Sequence, residues 1–136
     1  MVSYKNKKVT VVGLARSGVA AVRLLLREGA RVSVTEKART PALEETARLL
    51  KDDGVDVELG AHTPGFVMGR DLVVISPGVR PDAEPVAWAQ KQGVEVVSEV
   101  ELAASLCPAT IIAITGTNGK TTTTTLVGEV LRAAGH

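Results

Sequence analysis

Gly116-Thr117-Asn118-Gly119-Lys120-Thr121-Thr122 brings glycines, an ammonium and hydroxyls together in one short run. That set suits a phosphorylated ligand. Glycines let backbone N–H groups converge on phosphate oxygens with no Cβ in the way. Lys120 would bridge the outer phosphates, and the Thr121 hydroxyl would ligate Mg²⁺. The flanks fit the same chemistry. Ile111-Ile112-Ala113-Ile114-Thr115 is an apolar, largely β-branched run that reads as a buried strand. Beyond the turn, Leu126, Val127, Val130, Leu131 and Ala134 recur at helical spacing. The new helix points its positive end at the anion. Strand, glycine turn, Lys-Thr and helix form the layout of a phosphate-binding P-loop. The usual G-x-x-x-x-G-K-[ST] spacing puts Ile114 where the first glycine stands, so the turn here is shorter, with its glycine at Gly116. A chance glycine turn before an ordinary helix would leave the register of these parts unexplained.

A second set lies near the start. Gly13-Leu14-Ala15-Arg16-Ser17-Gly18 follows an apolar run and resembles G-x-G-x-x-G, with Ala15 in the middle glycine's place. An alanine there hinders close approach of a pyrophosphate to the backbone. Ser17 and the helix N-terminus could still hold a phosphate, with Arg16 supplying charge. Glu36 follows the next strand, where an acidic residue can accept ribose hydroxyls. Ser76-Pro77-Gly78 ends another strand and would face the same crevice. The plain alternative at each place is a tight turn with solvated charges.

The elements that would position these groups alternate. The patterning predicts strands at Lys8–Val12, Arg31–Thr35, Val55–Leu59, Asp71–Ile75 and Val94–Val97. Helices are predicted between them. One runs to Leu26 with Arg23 and Arg27 on its wet side and Gly29 at its end. Another starts at an N-cap Thr40 with Pro41 and pairs Glu44 with Arg48. A short helix capped by Asp82 carries Trp88, and a capping box at Ser98 to Glu101 opens a helix that Pro108 breaks. Strands alternating with helices predict an α/β fold: a Rossmann-like parallel sheet with helices on both faces and right-handed crossovers. Ligands of such sheets gather at the carboxyl ends of the strands.

Composition narrows the class. The chain has 136 residues, 45% hydrophobic and 23% charged, with net charge +1. That is an ordinary globular profile, and the near-zero charge argues against a nucleic-acid partner held by bulk electrostatics. Aromatic residues are 2%, so stacking platforms are nearly absent. No membrane span or signal peptide is visible. The single Cys107 excludes an intramolecular disulfide, fits a reducing cytoplasm, and reads as a small packing residue. Helix, glycine, strand recurs at Gly29, Gly54 and Gly93. The last helix also ends in a glycine, Gly135, so a further strand is expected to follow, as in the front part of a longer protein. The division expected is 1–97 as the Rossmann-like domain and 98–136 as the strand, P-loop and helix that begin a second α/β domain.

A Rossmann-like front unit, an S-P-G turn, a capped E-L helix and I-T-G-T-N-G-K-T-T together resemble the Mur ligase family. The resemblance covers the whole chain but only the front of that family's three-domain enzymes. Asn118 leans away from the L-alanine-adding branch, and the front unit, which looks different in the diamino-acid-adding branch, most resembles the branch that adds D-glutamate to UDP-N-acetylmuramoyl-L-alanine in peptidoglycan synthesis. The resemblance implies an ATP-dependent amide ligase. The γ-phosphoryl group would pass to a substrate carboxylate, and D-glutamate would displace phosphate from the acyl phosphate. It implies ATP on Gly116 to Thr122, with Lys120 and the Thr117 to Gly119 backbone stabilising the transferring group, Thr121 on Mg²⁺ and Thr122 on the inner phosphates. It also implies UDP-substrate contacts from Arg16, Ser17, Glu36, Lys37 and Gly78. Family members often carry Asp-Thr-Arg where this chain has Glu36-Lys37-Ala38, so the arginine flanking the base is missing or shifted to Arg39. The remaining machinery lies downstream in the family, so residues 1–136 alone are not expected to ligate.

Two rivals remain. One is an NAD(P)-binding oxidoreductase module, motivated by the glycine turn and Glu36, which leaves the P-loop unexplained. The other is a non-catalytic nucleotide-binding fragment whose unfinished sheet self-associates with another chain.

Overall fold

The computed structural model describes residues 2–136. Strands β1 (Lys8–Val12), β2 (Arg31–Glu36), β3 (Asp56–Leu59), β4 (Leu72–Ile75) and β5 (Glu95–Ser98) form one sheet in the order β3-β2-β1-β4-β5. Every pairing is parallel. Helices α1 (Arg16–Arg27), α2 (Pro41–Asp52), α3 (Glu84–Lys91) and α4 (Glu99–Leu106) and a 3-10 turn at Pro64–Phe66 belong to this unit, and α5 (Lys120–Ala133) follows. The expected α/β architecture is therefore present.

Both faces of the sheet are covered, and the alternation of side chains decides by what. Val9, Val11, Val32, Val34, Leu72 and Val74 project to one face and pack with Val22 and Leu25 of α1, Leu50 of α2 and Leu102 of α4. Val12 and Val73 project to the other, against Ala89 and Trp88 of α3 and Val67 after the 3-10 turn. This second face carries buried polar groups where β1 meets β2. Thr10 and Ser33 are register partners, their hydroxyls 2.8 Å apart, and Thr10 also donates to the Phe66 carbonyl. These bonds satisfy groups that would otherwise be buried without partners.

The caps follow the sequence in part. Thr40 accepts from the Leu43 amide at 3.3 Å, and Ser98 and Glu101 close a reciprocal capping box. Asp82 does not cap α3. Both its carboxylate oxygens are taken by Arg80, at 2.8 and 2.9 Å, and Ala83 occupies the cap position. A bidentate guanidinium–carboxylate pair outcompetes a single cap bond. The Glu44–Arg48 pair is also replaced. Arg48 reaches Glu45 through two nitrogens, and Glu44 bonds Arg39.

The last third departs most from expectation. Residues 107–117 contain no strand, and Ile111 and Ile112 are exposed. A strand exists through its ladder, and no other strand lies alongside this segment among the described residues. None of α5 is buried, and Leu126 and Val130 lie open to solvent. Cys107 is exposed at the end of α4 rather than packed. Among the described residues no helix is long and apolar enough to cross a membrane.

Two truncations test this division of buried and open surface. Leu25→Ala should cost about 2–5 kcal/mol in urea unfolding, because Leu25 is fully buried. Leu126→Ala, at a residue 61% exposed, should change stability by less than about 0.5 kcal/mol.

Candidate functional site

The sheet order turns back at β1. β2 lies on one side of it and β4 on the other, so the chain leaves the two carboxyl ends in opposite directions and leaves a crevice between them. A cavity of about 610 Å³ opens there, lined from β1 by Gly13 and Ala15, from β2 by Glu36 and Lys37, by His62, and by Ser76-Pro77-Gly78 and the segment to Glu84.

Close packing fixes the floor. Gly13 takes φ +99°, and a Cβ on it would lie 3.0 Å from the Ser76 Cβ. A Cβ on Gly18 would lie 2.2 Å from the Gly13 carbonyl oxygen. The outer two glycines of the motif therefore let α1 close down on its own turn and let the Ser76 turn approach it. Ser76 is buried, and its hydroxyl has no hydrogen-bond partner among the described residues. The hydroxyl oxygen is closed to solvent as it stands, so its unmet bond is satisfied by a water or ligand only when the Ser76 turn shifts toward the crevice.

The walls are polar and tied together. The Glu36 carboxylate accepts from the Leu14 amide through Oε2 and from the Ala38 amide through Oε1, both at 2.8 Å. It thus staples the β1 turn to the β2 turn. Beside it, the buried Thr35 hydroxyl lies 2.7 Å from Glu58 Oε2 and 2.7 Å from His62 Nδ1. Glu58 also accepts from the Thr63 amide at 3.0 Å. Burial works to raise the Glu58 carboxyl, but hydrogen bonds from Thr63 and Thr35 and the nearby His62 together hold it below its ordinary value. Burial pushes the His62 ring below its ordinary value, and this outweighs the pull of Glu36, Glu58 and Glu84. Sequence reasoning missed His62. The available signal was its place just after β3, at the same sheet end as the glycine turn.

The residues singled out in sequence separate in space. Glu36, Lys37 and Gly78 line the crevice together. Arg16 is exposed and lines a neighbouring cleft with Val19, Arg23 and Leu43. Ser17 is half-buried in the first turn of α1. The Gly116 to Thr122 turn is exposed throughout. Gly116 and Gly119 take φ +144° and +77°, and Gly119 caps α5 in a left-handed conformation. The Lys120 ammonium folds back onto the Gly116 carbonyl and lies 3.5 Å from that of Thr117. The Thr124 and Thr125 hydroxyls bond back to the Lys120 and Thr121 carbonyls. No such bond holds the Thr121 or Thr122 hydroxyl among the described residues. The Thr121 oxygen is a single hard donor, the kind of ligand a hard cation that keeps several waters can take.

Fold and crevice define the chain as a Rossmann-like α/β domain of the doubly wound kind. More narrowly, it belongs to the family described as Mur ligase MurD-like, N-terminal domain, whose model matches residues 7–98. It is 50% identical over 131 residues to a UDP-N-acetylmuramoylalanine–D-glutamate ligase of Geobacter sp. strain M21, covering 96% of this chain. Against the protein of the same name from Geotalea uraniireducens it is 52% identical over 130 residues, again 96% of this chain. The chain spans 29% of the length of both relatives. Among solved structures, the UDP-N-acetylmuramate-alanine ligase MurC of Thermotoga maritima superposes with a TM-score of 0.62 at 27% identity, over 93% of this chain and 29% of that one.

The sign of both shifts is the same for stability. Glu58 favours its charged form in the fold, so its contribution is present above its ordinary value of 4.5 and lost as pH falls through the lower folded value. His62 disfavours its proton in the fold, so stability is full above 6.5 and falls as pH drops below it. Urea midpoints should therefore decline from pH 7 toward pH 4. His62→Gln should flatten the part of the decline just below pH 6.5, and Glu58→Gln the part below pH 4.5.

Proposed function

We propose that this chain forms the nucleotide-sugar-binding front, and the opening of the ATP-binding part, of an ATP-dependent amide ligase that joins D-glutamate to UDP-N-acetylmuramoyl-L-alanine. The observation that carries the reading is the crevice at the β1, β2 and β4 ends, with its orphan Ser76 hydroxyl, in a member of this family. Residues 1–97 would take the UDP end of the substrate. Residues 98–136 would begin the ATP site, with α4 leaning back on the first unit through Leu102. Such a ligase works in the cytoplasm, where ATP and nucleotide sugars are made.

In this reading the diphosphate lies over the Gly13 to Gly18 turn, where α1 presents its first amides. The Ser76 hydroxyl and Ser17 donate to it, and Arg16 flanks it with charge. Glu36, Lys37 and Gly78 border the nucleoside. Amides from Thr117 to Gly119 would wrap the terminal phosphates of ATP, and Thr122 would reach the inner ones. Lys120 would turn one N–H outward to the γ-phosphoryl group while its others hold the Gly116 and Thr117 carbonyls, and so stabilise charge as that group moves to the substrate carboxylate. Magnesium, when bound, would neutralise the phosphates, and Thr121 is the residue here that would hold it. A dinucleotide redox module would leave the Gly116 to Thr122 turn without a role, which is why the ligase reading is preferred.

Calorimetry on the 136-residue chain tests the reading. Ser76→Ala should weaken UDP binding about tenfold, the effect of one hydrogen bond to a charged group. Gly65→Ala, outside the crevice and where a Cβ meets nothing within 4 Å, serves as the folding control. UDP affinity unchanged in Ser76→Ala and in the Arg16→Ala/Ser17→Ala pair would remove the site. In the same format Lys120→Ala should weaken Mg-ATP about tenfold or more, and NADH should produce no heat.

A further inference from the structure

His62 faces the crevice, yet nothing in the reading above uses it. Its hydrogen bonding fixes which ring nitrogen carries the proton. Neither the Glu58 carboxylate at 2.7 Å nor the Ala61 carbonyl at 3.3 Å has a proton to give, so the Thr35 hydroxyl must donate on that side, and the shorter contact to Glu58 takes it. A hydroxyl has one proton. Toward His62, Thr35 therefore has only a lone pair to offer, and across that second 2.7 Å contact the ring must donate through Nδ1–H. In the neutral imidazole Nε2 is then a bare acceptor. Nδ1 is tied to the buried Thr35 and His62 lines the crevice, so Nε2 is the ring nitrogen free to serve a ligand there.

A second observation says what this acceptor meets. In sheets of this kind, the acidic residue after the second strand accepts a ribose hydroxyl. Here that residue is Glu36, and each of its carboxylate oxygens already takes a backbone amide, from Leu14 and from Ala38. His62 is bonded to Thr35, the residue just before it. The geometry points to His62 as a specificity-determining residue that accepts, through Nε2, a hydrogen bond from a ribose hydroxyl of the bound nucleotide, with Glu58 and Thr35 as the positioning residues that hold its tautomer. The assignment rests on the crevice binding a uridine nucleotide.

Two measurements on the 136-residue chain decide it. Calorimetry compares UDP with 2′,3′-dideoxy-UDP, which lacks both hydroxyls. The wild type should prefer UDP by about fivefold to twentyfold. His62→Phe should bring the ratio near one, and His62→Gln, which keeps an acceptor at a similar reach, should restore part of it. Nitrogen-15 NMR of the imidazole at pH 7.5 should show Nδ1 protonated and Nε2 bare. A wild type that binds UDP and the dideoxy analogue equally, a ratio that survives His62→Phe in a folded protein, or an Nε2-protonated ring would each overturn the assignment. A wild type that binds no UDP at all would instead sink the reading of the crevice on which it rests.

Discussion

β1 is the constraint on which the rest depends. It is the central strand, paired in parallel on both sides, and Val9, Thr10, Val11 and Val12 are all fully buried. A strand in that position can neither expose a face nor slip by one residue, because a slip would drive Thr10 into the apolar layer under α1 and Val9 into the polar one. Its register with β2 and β4 sets where the turns after those strands stand. The crevice is the void left when chains leave such a strand in opposite directions, so it belongs to the topology before it belongs to any side chain.

The chemistry around that void comes from how buried polar groups are satisfied. On one face of β1 and β2 the layer is apolar and packs helices. On the other, Thr10, Ser33 and Thr35 are buried and must find partners. Thr10 and Ser33 find each other and the Phe66 carbonyl. Thr35, at the sheet end, finds Glu58 and His62. The need that ties the connection after β3 to the sheet also carries a histidine to the crevice wall. Glu36 does the same for the turns after β1 and β2 by accepting one amide from each.

Most of the sheet was legible in the residues because local signals agreed. β-branched runs, helix-stopping glycines at left-handed φ, the Thr40-Pro41 start and the Ser98 capping box all point one way. The misses have a common cause. Spacing along the chain points to Asp82 as a cap and Glu44 as a partner of Arg48, whereas Arg80, Arg39 and Glu45 offer closer geometry. Composition alone points to a strand at Ile111 to Thr115, yet a strand is made by neighbours and none stands beside it among the described residues. His62 was passed over because its environment is assembled from β2 and β3, residues 23 and 27 positions apart for the Thr35 bonds. No local pattern announces that meeting. The Gly13 to Gly18 turn, the Ser76 turn and Glu36 were legible, because each follows a strand directly.

α5 opens with an unbroken row from Thr121 to Thr125, and β-branched side chains restrict themselves in a helix and hold it poorly. Among the described residues none of its side chains is buried to make up the difference. A helix so weakly committed is ordered by whatever touches it, whether an anion at its first turn or an apolar surface along Leu126 and Val130. Each of those events would stabilise the helix that the other also needs. They would therefore reinforce one another through the helix alone, a form of cooperativity that requires no wire of contacts between the two ends.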